Sequence, residues 1–91
     1  MTTRETTVKN KTGLHARPAS AFVETANKFK SAIKIKNVDK GTPEVNAKSI
    51  IKLLTLSMSQ GTTISISAEG EDEVEAVNTL IELVDSGFGE L

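Results

Sequence analysis

Hydrophobic and polar positions change period several times along this chain, and each change marks an element. Within residues 4–10, the β-branched Thr6, Thr7 and Val8 predict a first strand. Lys11-Thr12-Gly13 breaks it. From Ala16 to Lys28 the apolar positions Ala19, Phe22, Val23 and Ala26 recur at steps of three and four, one face of a helix. Ile33 and Ile35 then alternate with Lys34 and Lys36, the pattern of a half-buried strand. After the turn "DKGTP", Val45 and Ala47 supply a short partner strand and complete a hairpin. Ser49 opens a second helix, "SIIKLLTLSMS", which Gln60-Gly61 closes, the glycine serving as a left-handed C-cap. Ile64, Ile66 and Ala68 alternate with Thr63, Ser65 and Ser67 in the clearest strand of the sequence. The segment "EGEDEVEAVNTLIELVDSGF" forms a last helix. Its buried stripe is Val74, Val77, Leu80, Ile81 and Val84, and Gly87 ends it. Asp72 and Glu73 lie in its first turn, where negative charge suits the helix dipole.

The order is β-α-β-β-α-β-α. Each strand is read as having an apolar and a polar face, so helices cover one side and leave the other wet. The predicted fold is α+β: an open-faced β-sandwich, a four-stranded antiparallel sheet covered on one face by three helices. Ninety-one residues and no linker predict one domain over residues 1–91. A net charge of −1 argues against a nucleic-acid binder, which carries a basic excess. The absence of cysteine excludes disulfides and thiol chemistry, and with one histidine a zinc site is not expected. "MTTRETTVKN" is no signal peptide, and the apolar stretch around residues 50–58 is too short to span a bilayer, so no membrane association and a cytoplasmic location are expected.

The only histidine, His15, stands directly before the first helix, in "GLHARPASAF". A helix N-terminus offers unpaired N–H groups and a partial positive charge to an anion. Pro18 falls in the first turn, where its missing N–H costs nothing. Gly13 permits a sharp turn ahead of the histidine, and Arg17 adds a permanent charge with a fork that matches phosphate oxygens. A neutral imidazole near pH 7 can attack phosphorus, so these residues suit accepting and releasing a phosphoryl group. A lone histidine at a helix start is more often a solvated or capping residue, and spacing alone does not name a reaction.

"TGLHARPAS" closely resembles the active-site motif of HPr, the histidine-containing phosphocarrier family of the bacterial sugar phosphotransferase system. Length, element order, "NAKSIIKLL" and "QGTTISISAEGEDEVEAV" extend the resemblance over essentially the whole chain. It implies that His15 takes phosphate on Nδ1 from enzyme I and passes it to a sugar-specific enzyme IIA. It also implies that Arg17 stabilises the phosphate charge, that Ala16 and Arg17 supply backbone N–H groups, and that Pro18 sets the first-turn geometry. The protein would be a monomeric carrier rather than an enzyme, with no metal and no cofactor. A catabolite-repression paralogue shares the fold without the histidine, so His15 disfavours it. The longer hairpin "NVDKGTPEV" and the ending "LVDSGF" resemble a nitrogen-regulatory branch, whereas "NAKS" and "SAEGEDE" resemble the sugar branch.

The second helix is apolar on more than one face. Leu53, Leu56 and Met58 are assigned to the core. Ile50, Ile51 and Leu54 are assigned to a partner patch beside His15, with Ser20 and Lys52 as further partner contacts and Lys28, Lys48 and Lys52 as a basic rim. The resemblance supports the patch, since the family docks enzyme I and enzyme IIA there. Ser49 is a natural N-cap. In Gram-positive members the serine at this place is phosphorylated, which would add a serine kinase/phosphorylase and a catabolite-control transcription regulator to the partners. Readings of other classes fit less well. An acylphosphatase-like hydrolase needs its arginine in a different loop context. A nucleic-acid module needs a stacking platform, and this chain has three phenylalanines but no tyrosine or tryptophan.

Overall fold

The computed structural model describes residues 1–90. The strands are β1 (Thr2–Thr7), β2 (Ala32–Asn37), β3 (Val45–Asn46) and β4 (Thr63–Glu69). The helices are α1 (Ala16–Ala26), α2 (Ile50–Leu54) and α3 (Glu73–Asp85), and a 3-10 turn follows at Gly87–Gly89. The strands lie in the order β1-β4-β2-β3, and every neighbouring pair is antiparallel. The expected architecture is therefore observed. Among the described residues no helix is long and apolar enough to cross a membrane.

Strand alternation builds the core. Ile33 and Ile35 of β2 and Ile64, Ile66 and Ala68 of β4 point to the helix side and are almost wholly buried. Phe22 of α1, Leu53 of α2, and Val77, Leu80, Ile81 and Val84 of α3 close over them. Burying each large side chain contributes about 1.5–3 kcal/mol, so this layer supplies the main driving force. Leu56 and Met58 join the same core, at 3% exposure each.

Several expectations are corrected. β1 starts at Thr2 and ends at Thr7, and it has no apolar face. Its helix-side residues are polar and are paired to α3. Thr2 donates to Glu73 Oε2 at 2.6 Å, Arg4 to Asn78 Oδ1 at 2.9 Å, and Thr6 to the Asp85 carboxylate. This edge strand is held by its ladder to β4, and these bonds, rather than apolar burial, tie it to α3. The far face of the sheet is not uniformly wet either. Ser65 and Ser67 are buried because β4 is central, flanked by Glu5 and Lys36 at Ser65 and by Thr3 and Lys34 at Ser67. Ser67 Oγ lies 3.0 Å from Thr3 Oγ1.

α1 stops at Ala26 rather than Lys28. α2 is only five residues long and is capped by Thr55, so Gly61 does not end it. The Thr55 hydroxyl donates to Lys52 O at 2.6 Å, and Ser57 turns into the left-handed region at φ 51°, which lets Leu56 and Met58 both point inward. Gly61, at φ 88°, instead donates its N–H to Val8 O at 2.9 Å. The last helix begins at Glu73, and Gly87 follows it in left-handed conformation, φ 66°. Val74 lies in its first turn and is 58% exposed. It shares a side of the helix with Val77 and Ile81 but lies outside the packed core.

Asp72, just before α3, makes no cap bond to its own helix. Its carboxylate accepts the N–H groups of Lys30 at 2.8 Å and Ser31 at 3.0 Å, and the Ser31 hydroxyl. One side chain thus joins the start of α3 to the connection between α1 and β2. The Ser31 hydroxyl and then the Lys30 N–H hold the Asp72 carboxyl below its ordinary value of 3.8. A depressed carboxylate contributes stability above its unfolded value and loses it as pH falls through the folded one. Thermal melts should therefore show the Tm dropping below about pH 4. Asp72→Asn is expected to lower the Tm at pH 7 and to flatten that acid limb; an unchanged limb would mean that the acid sensitivity arises elsewhere.

Candidate functional site

His15 occupies the N-cap position of α1 in extended conformation, φ −90° and ψ −161°, with an exposed side chain. Its imidazole makes no cap bond. The first intrahelical bond runs from Ala19 N–H to His15 O at 2.9 Å. Ala16 and Arg17 therefore have no intrahelical acceptor for their N–H groups, and Pro18 has none to offer. Two N–H groups without an acceptor among the described residues, the positive end of an eleven-residue helix and the exposed Arg17 side chain surround the imidazole's end of the helix. Pro18 and Ala19 are buried and root the first turn in the core, whereas Ala16, Arg17 and Ser20 face solvent. Ser20 lies one turn beyond Ala16 and Arg17 on the same side of the helix.

What fixes the histidine's position lies upstream and across the fold. Leu14 is buried, and its N–H donates to Met58 O at 2.8 Å. Gly13 adopts φ 66° and runs so close to the segment after α2 that a Cβ there would stand 2.5 Å from Met58 O and 2.8 Å from Ser59 Cα. Both demands admit only glycine. Asn10, fully buried, donates from Nδ2 to Gly13 O at 2.8 Å and to Thr12 Oγ1 at 3.1 Å, which holds the turn.

An open groove of about 410 Å³ runs beside the imidazole, lined by Thr12, Leu14, His15, Lys40, Leu54, Ser57, Met58 and Ser59. Leu54 links it to an apolar surface on α2. Ile50, Ile51 and Leu54 are exposed at 36%, 72% and 44%, beside a fully buried Leu53. Lys52 is exposed on the same helix. Ser49 caps α2, its hydroxyl accepting the Lys52 N–H at 3.4 Å. Lys28 is exposed, but Lys48 is not a free rim charge. Its ammonium donates to Phe29 O at 2.8 Å and ties the end of α1 to the segment before α2.

Three lining or neighbouring residues were not legible as site residues. Thr12 stands in the break after β1, and Lys40 arrives on the hairpin between β2 and β3. Glu90 accepts from Thr12 Oγ1 at 2.7 Å and from Asn10 Nδ2 at 3.1 Å, 80 positions from Asn10 in sequence. The bonds from Thr12 and then Asn10 hold the Glu90 carboxyl below its ordinary value, and the charges of His15 and Arg17 add to this. No local pattern announces any of these contacts.

Comparison with known proteins converges on one family. A family model described as "PTS HPr component phosphorylation site" matches residues 2–86. Phosphocarrier protein HPr of Xylella fastidiosa is 46% identical over 90 residues, covering 99% of this chain and 98% of that protein. The HPr-like protein Crh of Halalkalibacterium halodurans is also 46% identical, over 85 residues, covering 93% of this chain and 98% of its own. The crystal structure of HPr-C-His from Thermoanaerobacter tengcongensis superposes with a TM-score of 0.92 at 49% identity, over 100% of this chain and 99% of that one.

Because a Cβ at residue 13 meets backbone rather than a movable side chain, Gly13→Ala should cost roughly 1–3 kcal/mol. Urea unfolding measures this, and an unchanged midpoint would show that the Met58–Ser59 backbone yields without cost.

Proposed function

The chain belongs to the HPr family of phosphocarrier proteins of the phosphotransferase system, and on that premise we propose that His15 accepts a phosphoryl group from phospho-enzyme I and delivers it to an enzyme IIA in carbohydrate uptake. The observation that carries the reading is the exposed imidazole at an uncapped helix start with Arg17 two residues on. In the forward step an imidazole nitrogen, Nδ1 by family resemblance, attacks phosphorus. The P–N bond to His15 forms as the donor's bond to phosphorus breaks, and the imidazole proton leaves to the donor or to solvent. The Ala16 and Arg17 N–H groups and the Arg17 guanidinium face the charge that gathers on the phosphoryl oxygens. Pro18 fixes the turn that aims them. Delivery is the same step in reverse with a new acceptor, so the carrier is regenerated at each cycle and is not a free-standing catalyst.

Ile50, Ile51 and Leu54 form the apolar docking surface for both partners, with Ser20 and Lys52 at its margin. Lys40, which lines the groove with His15, and Lys52 supply positive charge that speeds encounter with an acidic partner surface. Intact-mass spectrometry after incubation with enzyme I, Mg²⁺ and phosphoenolpyruvate should give one acid-labile phosphate, absent in His15→Ala. Arg17→Ala should still be phosphorylated but about 10- to 100-fold more slowly, with an unchanged melting curve. Acid-labile phosphate retained in His15→Ala, or an unaltered rate in Arg17→Ala, would remove the corresponding role.

A second reading, a regulatory HPr-family protein acting through phosphorylation-dependent binding, is favoured by the place of Ser49. Its hydroxyl heads the helix that carries the exposed apolar surface. A phosphate placed there by a serine kinase/phosphorylase would set a charge of about −2 beside residues that an apolar partner must cover, and would be read by a catabolite-control regulator. Ser49→Asp keeps a good N-cap. It should raise the KM for enzyme I about 3- to 10-fold without lowering stability; an unaltered KM would disconnect Ser49 from docking.

A further inference from the structure

Ser57, just past α2, holds a left-handed backbone at φ 51°. That conformation turns Leu56 and Met58 into the core and leaves the Ser57 side chain exposed between them. Glycine would adopt it at less cost, because a Cβ crowds the following carbonyl there. The nearby hydroxyls of Thr55 and Ser59 are used within the fold, on Lys52 O and beside Thr62 Oγ1, whereas that of Ser57 has no partner among the described residues. A backbone outlier that carries an idle polar group points to function when it lies at a site. Ser57 lines the groove together with His15.

Lys40 lines the same groove, and among the described residues it is the one lysine or arginine there. Asn37, fully buried, holds it in place. Asn37 Oδ1 accepts the Lys40 N–H at 3.1 Å, and Asn37 Nδ2 donates to Leu56 O, next to Ser57, at 2.9 Å. On the other flank of Ser57, Met58 O accepts the Leu14 N–H at 2.8 Å. Ser57 is thus fastened on one side to the hairpin that carries Lys40 and on the other to the loop that carries His15.

From this placement we propose that Ser57 and Lys40 are a second set of phosphoryl contacts. The Ser57 hydroxyl donates to an oxygen of the phosphoryl group on His15, and the Lys40 ammonium faces the same oxygens from the groove. The proposal rests on the phosphoryl-carrier reading of His15. A phosphoryl group brings close to two negative charges and three strong acceptor oxygens, which leaves room for donors besides Arg17 and the helix start. Loss of the group to water must release these contacts. The Lys40 charge also opposes the proton that would make the imidazole a better leaving group.

The test does not depend on enzyme I. Phosphoramidate transfers its phosphoryl group to an accessible imidazole directly, and His15 is the only histidine. Its P–N bond breaks, a new P–N bond forms at His15, and ammonia leaves with the imidazole proton. In the decay step water attacks phosphorus, the bond to His15 breaks, and a water proton returns to the imidazole. Phosphorus NMR follows that decay at neutral pH for the full chain, Ser57→Ala, Ser57→Gly and Lys40→Gln. Alanine removes the hydroxyl and keeps the crowded backbone, whereas glycine removes both.

Decay is expected about threefold faster in Ser57→Ala and Ser57→Gly alike, the effect of one net hydrogen bond. The Tm of Ser57→Gly should be no lower than that of the unsubstituted chain, so the faster decay is not a loss of stability. Lys40→Gln should also decay about threefold faster, the effect of a unit charge about 6 Å away in water. That difference should fade as ionic strength rises from about 0.01 M to about 1 M, where the Debye length shrinks from about 30 Å to about 3 Å. Equal lifetimes for the unsubstituted chain and Ser57→Ala, or a change in only one of the two Ser57 variants, would overturn the hydroxyl's role. An unaltered lifetime in Lys40→Gln would overturn that of Lys40. Failure of enzyme I to load any of these chains would instead count against the carrier reading, while the chemically loaded protein still decides both roles.

Discussion

The site depends on one backbone contact between distant segments. Leu14 donates its N–H to Met58 O, and Gly13 lies against Met58 and Ser59 too closely for any side chain. The first segment delivers His15 to the start of α1. The second is the descent from α2, whose exposed face carries Ile50, Ile51 and Leu54. Joining them sets the histidine, the groove and the apolar surface side by side. Loosening that contact would leave every residue present but scatter the site.

The contact holds because the layers beneath it are rigid. Leu14, Pro18 and Ala19 are buried on the histidine side, and Leu53, Leu56 and Met58 on the α2 side. Asn37 adds a further tie between the hairpin and α2's exit, donating to Leu56 O at 2.9 Å. On the opposite end of the molecule, Asp72 joins α3 to the α1–β2 connection, and β1 lies along α3 through polar pairs. Positioning α3 also positions its exit, and so the return of Glu90 to the loop before His15. An uncapped helix end and an exposed arginine offer positive charge to an anion beside His15.

Much of this was legible in order. Isoleucine alternation in β2 and β4 and the steps of three and four in α1 and α3 reflect burial on one face, which a period reports directly. His15, Arg17, Pro18 and Gly13 were legible together because they are consecutive and each does a distinct physical job at a helix start. The separation of Leu53, Leu56 and Met58 from Ile50, Ile51 and Leu54 was also readable, since so small a domain cannot bury every face of one helix. What misled were cases where a neighbour, not the local pattern, sets the outcome. Val74 has the right helical phase yet lies outside the core, Ser65 and Ser67 look outward yet are covered by adjacent strands, and Lys48 looks like a free charge yet is spent on Phe29 O.

By itself, then, the sequence determined the kinds and order of the elements, the core stripes of β2, β4, α1 and most of α3, and the side-chain chemistry offered at residues 13–18, because these follow from local sterics, periodicity and side-chain type. Only the tertiary structure decided that α2 ends after five residues, that β1 is tied to α3 by polar pairs, that Thr12 and Lys40 line the groove with His15, and that Glu90 bonds to Thr12. Those outcomes rest on contacts between residues tens of positions apart. Their energies come from shared burial and hydrogen bonding in three dimensions, which no local periodicity encodes.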